Sequence, residues 1–254
     1  IATTGAIALD GWQVVPTPNL ADHWPPQRLQ SRSKASRAAL PSTAERLRAV
    51  RATFTVTNTA DNGPGSLRAA VQAANSSPGP DLIDFNIPGP GPHQISLTSN
   101  ILSIGEAVVI DGYTQPGAMM NTLPVGSNAV IQIQVVALNL AGGLFELAFH
   151  SGSTIRGLSI IQRDGGPGIE INISANDHII EGNYLGVVAD GTAVIGSSQA
   201  GVVINNFSSN NRIGTDGDGI NDYGERNVIA GNDDCCGTQP FNANIQIFNG
   251  SNNN

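Results

Sequence analysis

The sequence predicts an all-β protein, a right-handed parallel β-helix (solenoid) with its coils in residues 53–254. Three observations point there. From about residue 129 an alternating strand recurs, opening at Gly143-Leu-Phe-Glu-Leu, Gly168-Ile-Glu-Ile-Asn, Gly201-Val-Val-Ile-Asn and Asn244-Ile-Gln-Ile-Phe. A polar turn follows each, at Ser151-Gly-Ser, Ser174-Ala-Asn-Asp, Ser208-Ser-Asn-Asn and Gly250-Ser-Asn-Asn-Asn. No unit holds enough apolar residues to bury a core alone, so stacked neighbours must complete it, as in a solenoid. The composition agrees: charged residues are 13% of the chain, against roughly 25% in an ordinary globular domain, and Gly reaches 30 residues.

Residues 1–52 differ from the rest and are expected to form an irregular N-terminal extension. Trp12, Trp24 and the prolines at 16, 18, 25 and 26 suggest an extended strap. The basic run Ser31-Arg-Ser-Lys-Ala-Ser-Arg37 suggests a solvated loop, and residues 43–51 a short helix capped by Thr43. Phe54-Thr-Val-Thr57 then alternates as a strand, and Asp61-Asn-Gly-Pro-Gly65 is a turn. Ser66 can cap a helix over Leu67–Asn75, in which Leu67, Ala70, Val71 and Ala74 share one face. That helix is expected to cover the open first coil. Strands are expected at 82–85, 94–97 and 108–110.

The recurring strands start 25, 33 and 43 residues apart. The longer intervals hold insertions, at 187–196 and 215–225, which a solenoid tolerates because loops project from single coils. A second strand follows at Thr154, His178 and Arg212, and resumes at Arg226-Asn-Val-Ile-Ala-Gly-Asn232. Ile169, Ile171, Ile179, Val203, Ile229 and Ile245 are the expected shared core. Asn183 and Asn232 each follow a glycine and are expected to stack as a ladder bridging successive coils; simple turn preference is the alternative.

Residues 55–75, Thr55-Val-Thr-Asn-Thr-Ala-Asp-Asn-Gly-Pro-Gly-Ser-Leu-Arg-Ala-Ala-Val-Gln-Ala-Ala-Asn75, resemble the segment that opens many large secreted bacterial β-helix repeat proteins. Members often read CSLREAI there; this chain has Gly65 for the Cys and Ala69 for the Glu. Asp111-Gly-Tyr-Thr-Gln-Pro-Gly117, Gly182-Asn-Tyr-Leu-Gly186, Ala189-Asp-Gly-Thr192 and Arg226–Asn232 resemble further recurring elements of that family. The resemblance covers residues 53–254. It implies the fold and a secreted bacterial source, and it leaves function open among adhesins, surface fibres and carbohydrate-active proteins.

Charge narrows the choice. Residues 53–254 hold five basic and seventeen acidic residues, a net of −12, which argues against nucleic acid as a partner. No apolar run approaches the roughly 18 residues of a membrane span. The chain opens on Ile1 without a basic-then-apolar leader, read as leader removal. Cys235 and Cys236 are adjacent; two loop thiols, a strained vicinal disulfide and a link to another chain all remain open.

Asp216, Asp218, Asp222 and Glu225 are the candidate metal ligands. Carboxylates spaced two to four apart and separated by glycine can wrap a hard cation such as Ca2+. The spacing does not fit an EF-hand, and an exposed acidic loop is the alternative. No catalytic pair can be named: Asp164, Glu170, Asp177, Glu181 and Asp190 sit on or near successive coils, and Arg156 and Arg163 are the only basic residues of the first coils. The four histidines show no metal spacing, and His178 is expected at the surface. With aromatics at 5%, a sugar-stacking groove is not expected. The expected function is therefore an extracellular structural or adhesive surface protein, with a carbohydrate-active enzyme or glycan-binding module as the alternative. Expected partners are surface polysaccharide and, because the sequence stops in mid-repeat, further coils or a second copy at the C-terminal end.

Overall fold

The computed structural model describes residues 40–99, 101–138, 142–163, 165–197, 199–232 and 243–254. Asp164, Cys235 and Cys236 lie outside these residues, as does the extension before residue 40. Residues 40–254 form one compact unit.

The alternating segments become strands that wind through three faces in strict rotation. A short helix α1 (Thr43–Arg48) and strand β1 (Thr53–Val56) precede helix α2 (Leu67–Asn75). The first coil is β2 (Asp81–Phe85), β3 (His93–Leu97) and β4 (Leu102–Ile104); the second is β5 (Val108–Asp111), β6 (Ile133–Leu138) and β7 (Phe145–Ala148). The third is β8 (Thr154–Arg156), β9 (Leu158–Arg163) and β10 (Ile169–Asn172). The fourth is β11 (Ile179–Glu181), β12 (Tyr184–Leu185) and β13 (Val202–Ile204), and the fifth is β14 (Arg212–Ile213), β15 (Val228–Ile229) and β16 (Ile245–Ile247). Every strand pairs in parallel with its equivalent one coil away, giving sheets β1-β2-β5-β8-β11-β14, β3-β6-β9-β12-β15 and β4-β7-β10-β13-β16. This is the predicted parallel β-helix.

One continuous core fills the coils. Ile83, Ile110, Ile155 and Ile180 rise through the first sheet, with Ile133, Ile160 and Leu185 from the second and Phe145, Ile169 and Val202 from the third. At about 25 cal/mol per Å2 of apolar area, this shared burial is the main stabilising term. Leu67, Ala70, Val71 and Ala74 of α2 join the same core, and α2 packs on β1, β2 and β4. Ser66 caps the helix as expected, accepting from the Ala69 amide at 3.2 Å.

Four expectations are corrected. In α1 the cap is Ser42 rather than Thr43: Ser42 and Glu45 form a reciprocal capping box and the helix ends at Arg48. Ile179 and Val203 are buried as expected but lie outside the continuous core, which takes Ile180, Val202 and Ile204 instead, because successive strand residues point to opposite faces. Ile229 only packs against the core from a half-buried position, and Ile245 is 38% exposed. Asn183 and Asn232 each bridge to the neighbouring coil as expected, Asn183 by donating to the Ile155 carbonyl, but they do not stack on one another. Asn183 stacks on Asn227, whose Oδ1 accepts from both its backbone and side-chain nitrogens, while Asn232 donates to the Leu185 carbonyl.

His178 is the largest departure: it is fully buried. It belongs to a column of side chains that cap the start of each first-sheet strand from the next coil. The Val108 amide donates to Ser153 Oγ (3.2 Å), Ser153 N to His178 Nδ1 (3.0 Å), His178 N to Asn211 Oδ1 (3.0 Å) and Asn211 N to Asn254 Oδ1 (2.9 Å). Buried amides need acceptors, and four side chains of three residue types supply one at the same position. His178 also packs edge-on against His150, ring centroids 4.8 Å apart.

Candidate functional site

Three loops inserted in different coils meet on the outer side of the second sheet. They are residues 112–130 after β5, 186–197 after β12, and 214–227 after β14. In β12, Leu185 enters the core, so Tyr184 points outward. There Tyr184, Val187, Ala189 and Ile131 form a second small apolar cluster with Tyr113, Ala129, Val228 and Ala230 around it. The outward face of the sheet is thus apolar, and the loops fold back to cover it.

Polar contacts lock the first loop to the third and tie the loops to the coils beneath. Arg226 donates to the carbonyls of Leu123, Pro124 (2.9 Å) and Gly126 (3.2 Å). Asn121 donates to the Tyr223 carbonyl (2.9 Å), Tyr113 to the Gly182 carbonyl (2.7 Å), and the Ala189 amide to Gln134 (2.9 Å). Gly182 has φ +63°, and a Cβ there would press on the Tyr113 hydroxyl, so the close approach requires glycine. Between the loops lies a groove of about 610 Å3, lined by residues that include Asn121, Ser127, Tyr184, Asp190, Arg226 and Val228. Thr192, through its hydroxyl and its backbone amide, holds the exposed Asp190 carboxylate below the usual range.

The acidic loop sits in the third insertion. Oxygens of Asp216, Asp222 and Glu225 come within 4.8 Å of one another, and the three carboxylates could hold a metal ion. Asp218, the fourth candidate, is not in this group; its Oδ1 accepts from the Ile220 amide two residues on. The group already holds a cation of the protein's own. Arg212 Nη1 lies 2.8 Å from Asp216 and 3.1 Å from Glu225. Burial raises Glu225, and Arg212 opposes that rise.

Arg212 links the loop to a buried charge column on the outward face of the first sheet. Asp111, Arg156 and Glu181 are register neighbours in β5, β8 and β11. Asp111 pairs with Arg156 at 2.6 Å, Arg156 with Glu181 at 3.7 Å, and Glu181 with Arg212 at 2.7 Å. Helix α1 lies over this face: Thr43 donates to Glu181 (2.7 Å), and Arg46 donates to the carbonyls of Gly152 and Asp177. Along the column each charge meets the opposite sign, which is how buried charges persist.

No protein-family model and no curated protein matches the chain. Among the described residues, no helix is long and apolar enough to cross a membrane.

The acids considered for catalysis are dispersed. Glu170, on β10 of the third sheet, accepts from Gly143, Asn172 and Asn205. Glu181 is sealed in the charge column, Asp177 lies in a turn with φ +58°, and Asp190 edges the groove. Arg156 is held between Asp111 and Glu181, whose charges more than offset the cost of its burial. Sequence reasoning passed over the groove. Its signal was that all three tyrosines, Tyr113, Tyr184 and Tyr223, fall in or beside the insertions.

Proposed function

We propose that the protein is an extracellular structural and adhesive element, a stiff solenoid that presents one loop-built flank to a surface. The observation that carries this reading is the interlocking of loops 112–130 and 214–227. Arg226 and Asn121 spend their hydrogen bonds across these two loops, and Tyr113 anchors the first of them to the Gly182 carbonyl of the fourth coil, so the flank is held rigid before it meets anything. The charge column supports the same reading, because its acids and bases neutralise one another rather than standing ready for proton transfer. The resemblance of residues 55–75 to the opening of secreted bacterial β-helix proteins supports a surface location. Beads coated with the full chain are expected to be held under flow on intact bacterial cells, and beads coated with the heat-denatured chain are not. Equal retention of the two overturns the reading.

In this reading the triad of Asp216, Asp222 and Glu225 takes calcium, the hard cation that carboxylate oxygens suit. Calcium must compete with the Arg212 guanidinium, so binding is expected to be weak, on the order of 10−4 to 10−3 M as in other extracellular modules. Titration calorimetry with calcium chloride is expected to lose its signal in Asp222→Asn, which keeps the Thr215 contact at 2.9 Å, and to keep it in Asp218→Ala. A flat isotherm for the unaltered protein removes calcium from the account.

A further inference from the structure

We infer that the loop-walled groove binds a short segment of neutral saccharide, with Asp190 and Tyr184 as its contact residues. The inference rests on the adhesive reading and gives that flank its ligand class. The groove's volume of about 610 Å3 falls within the roughly 300–1,000 Å3 of small-ligand sites. Its lining is graded. Tyr184 and Val187 are buried and apolar, whereas Ser127, Asp190 and Gly191 at the edge are exposed. An aromatic ring below and hydrogen-bonding groups at the rim suit a ligand with apolar faces and hydroxyl edges.

Charge excludes the other classes. An anion would have to use Arg226, but that guanidinium already donates to the carbonyls of Tyr223, Pro124, Leu123 and Gly126. The coil-bearing residues 53–254 also carry a net −12, which repels an anion further. A cation would find the Asp190 carboxylate, but Arg226 lines the same groove. A purely apolar ligand would strip water from Asp190 and leave it unpaired, which is costly. A neutral polyol avoids all three penalties. Thr192 engages one oxygen of Asp190, Oδ1, and the Tyr184 hydroxyl already meets Ser127 Oγ at 3.1 Å. A sugar hydroxyl can donate to Asp190 Oδ2 and bond to that hydroxyl pair, with the exposed end of the Tyr184 side chain beneath it. Aromatics are scarce in the chain, but this flank holds all three tyrosines, so low overall content does not deprive the groove of a ring.

The test titrates the full chain with neutral hexaoses of gluco, manno and galacto type, and with anionic oligogalacturonate and cationic chitosan hexaose. Saturable binding of at least one neutral hexaose, and weaker binding of both charged probes, is expected. Asp190→Asn keeps the Thr192 turn and is expected to weaken the neutral ligand at least about tenfold, the value of a hydrogen bond to a charged group. Ser127→Trp, which fills the groove and gives up the Ser127 contacts to Tyr184 and Ala129, is expected to abolish binding while the far-UV circular dichroism of the coils is unchanged. Absence of binding to every neutral hexaose, or full binding by Ser127→Trp, overturns the inference. The flow assay reads the adhesive proposal separately: beads that hold to cells while no hexaose binds sink this inference alone.

Discussion

Lowering the pH from 7 to 4 is expected to destabilise the solenoid by about 3 kcal/mol through His178 alone. Burial, then the nearby His150 and Arg46, push this imidazole down to about 3. Its Nδ1 accepts the Ser153 amide, so the neutral ring carries its proton on Nε2, which has no hydrogen-bond partner. Protonation would put a charge in the interior and turn the acceptor into a donor facing a donor. The unfolded chain takes up this proton near pH 6.5. Below that pH the unfolded state binds a proton that the folded state refuses until about 3. The contribution is therefore complete above 6.5 and is lost as the pH falls through that window. His178→Asn isolates the effect, because Asn211 already fills the same position one coil on and accepts an amide through Oδ1. Urea denaturation at the two pH values is the measurement. The variant is expected to be slightly less stable at pH 7 and clearly more stable than the unaltered protein at pH 4. Parallel losses in both proteins would sink the account.

Glu181→Ala is expected to cost about 3–5 kcal/mol, the value of breaking a buried ion pair from one side. Glu181 is 2% exposed and meets Arg212, Arg156 and Thr43. Removing it takes the 2.7 Å partner from Arg212, leaves Arg156 in a poorly solvated place with Asp111 alone, and removes the Thr43 anchor of α1. Replacing Asp111, Arg156 and Glu181 together by Leu, Met and Leu removes Arg156 along with both of its partners and is expected to cost less than Glu181→Ala, because Arg212, the one guanidinium that loses a partner, keeps Asp216 and Glu225. Chemical denaturation of both variants decides the matter. A loss below about 1 kcal/mol in the single variant means the column is solvated in practice.

The helix over Leu67–Asn75 was legible to the residue because its signals are local: a serine cap, an apolar face at helical spacing and a Ser-Ser-Pro ending. The coils were legible because Gly-led alternating strands repeat, and a repeat implies the stacking that completes it. The phase of burial within a strand was less secure. Ile179 and Ile180 are chemically alike, and only pairing with Thr154 and Ile155 decides which one enters the core. The acidic loop was visible as a cluster, yet three of its four acids converge, because Asp218 turns back on its own backbone.

What the sequence determined by itself was the parallel coil, its capping helix and two of the three places where loops leave it, at 187–196 and 215–225, since each depends on residues close together or repeated in the chain. The tertiary structure alone decided the histidine column, the charge column and the groove. Ser153, His178 and Asn211 differ in type and lie 25 and 33 residues apart. Asp111, Arg156 and Glu181 become neighbours only when three coils stack. Tyr184 and Arg226 line one groove because loops of different lengths close over the same sheet. Short-range patterns carry no record of such alignments, because the stacking distance between coils is constant in space while the chain length between them is not.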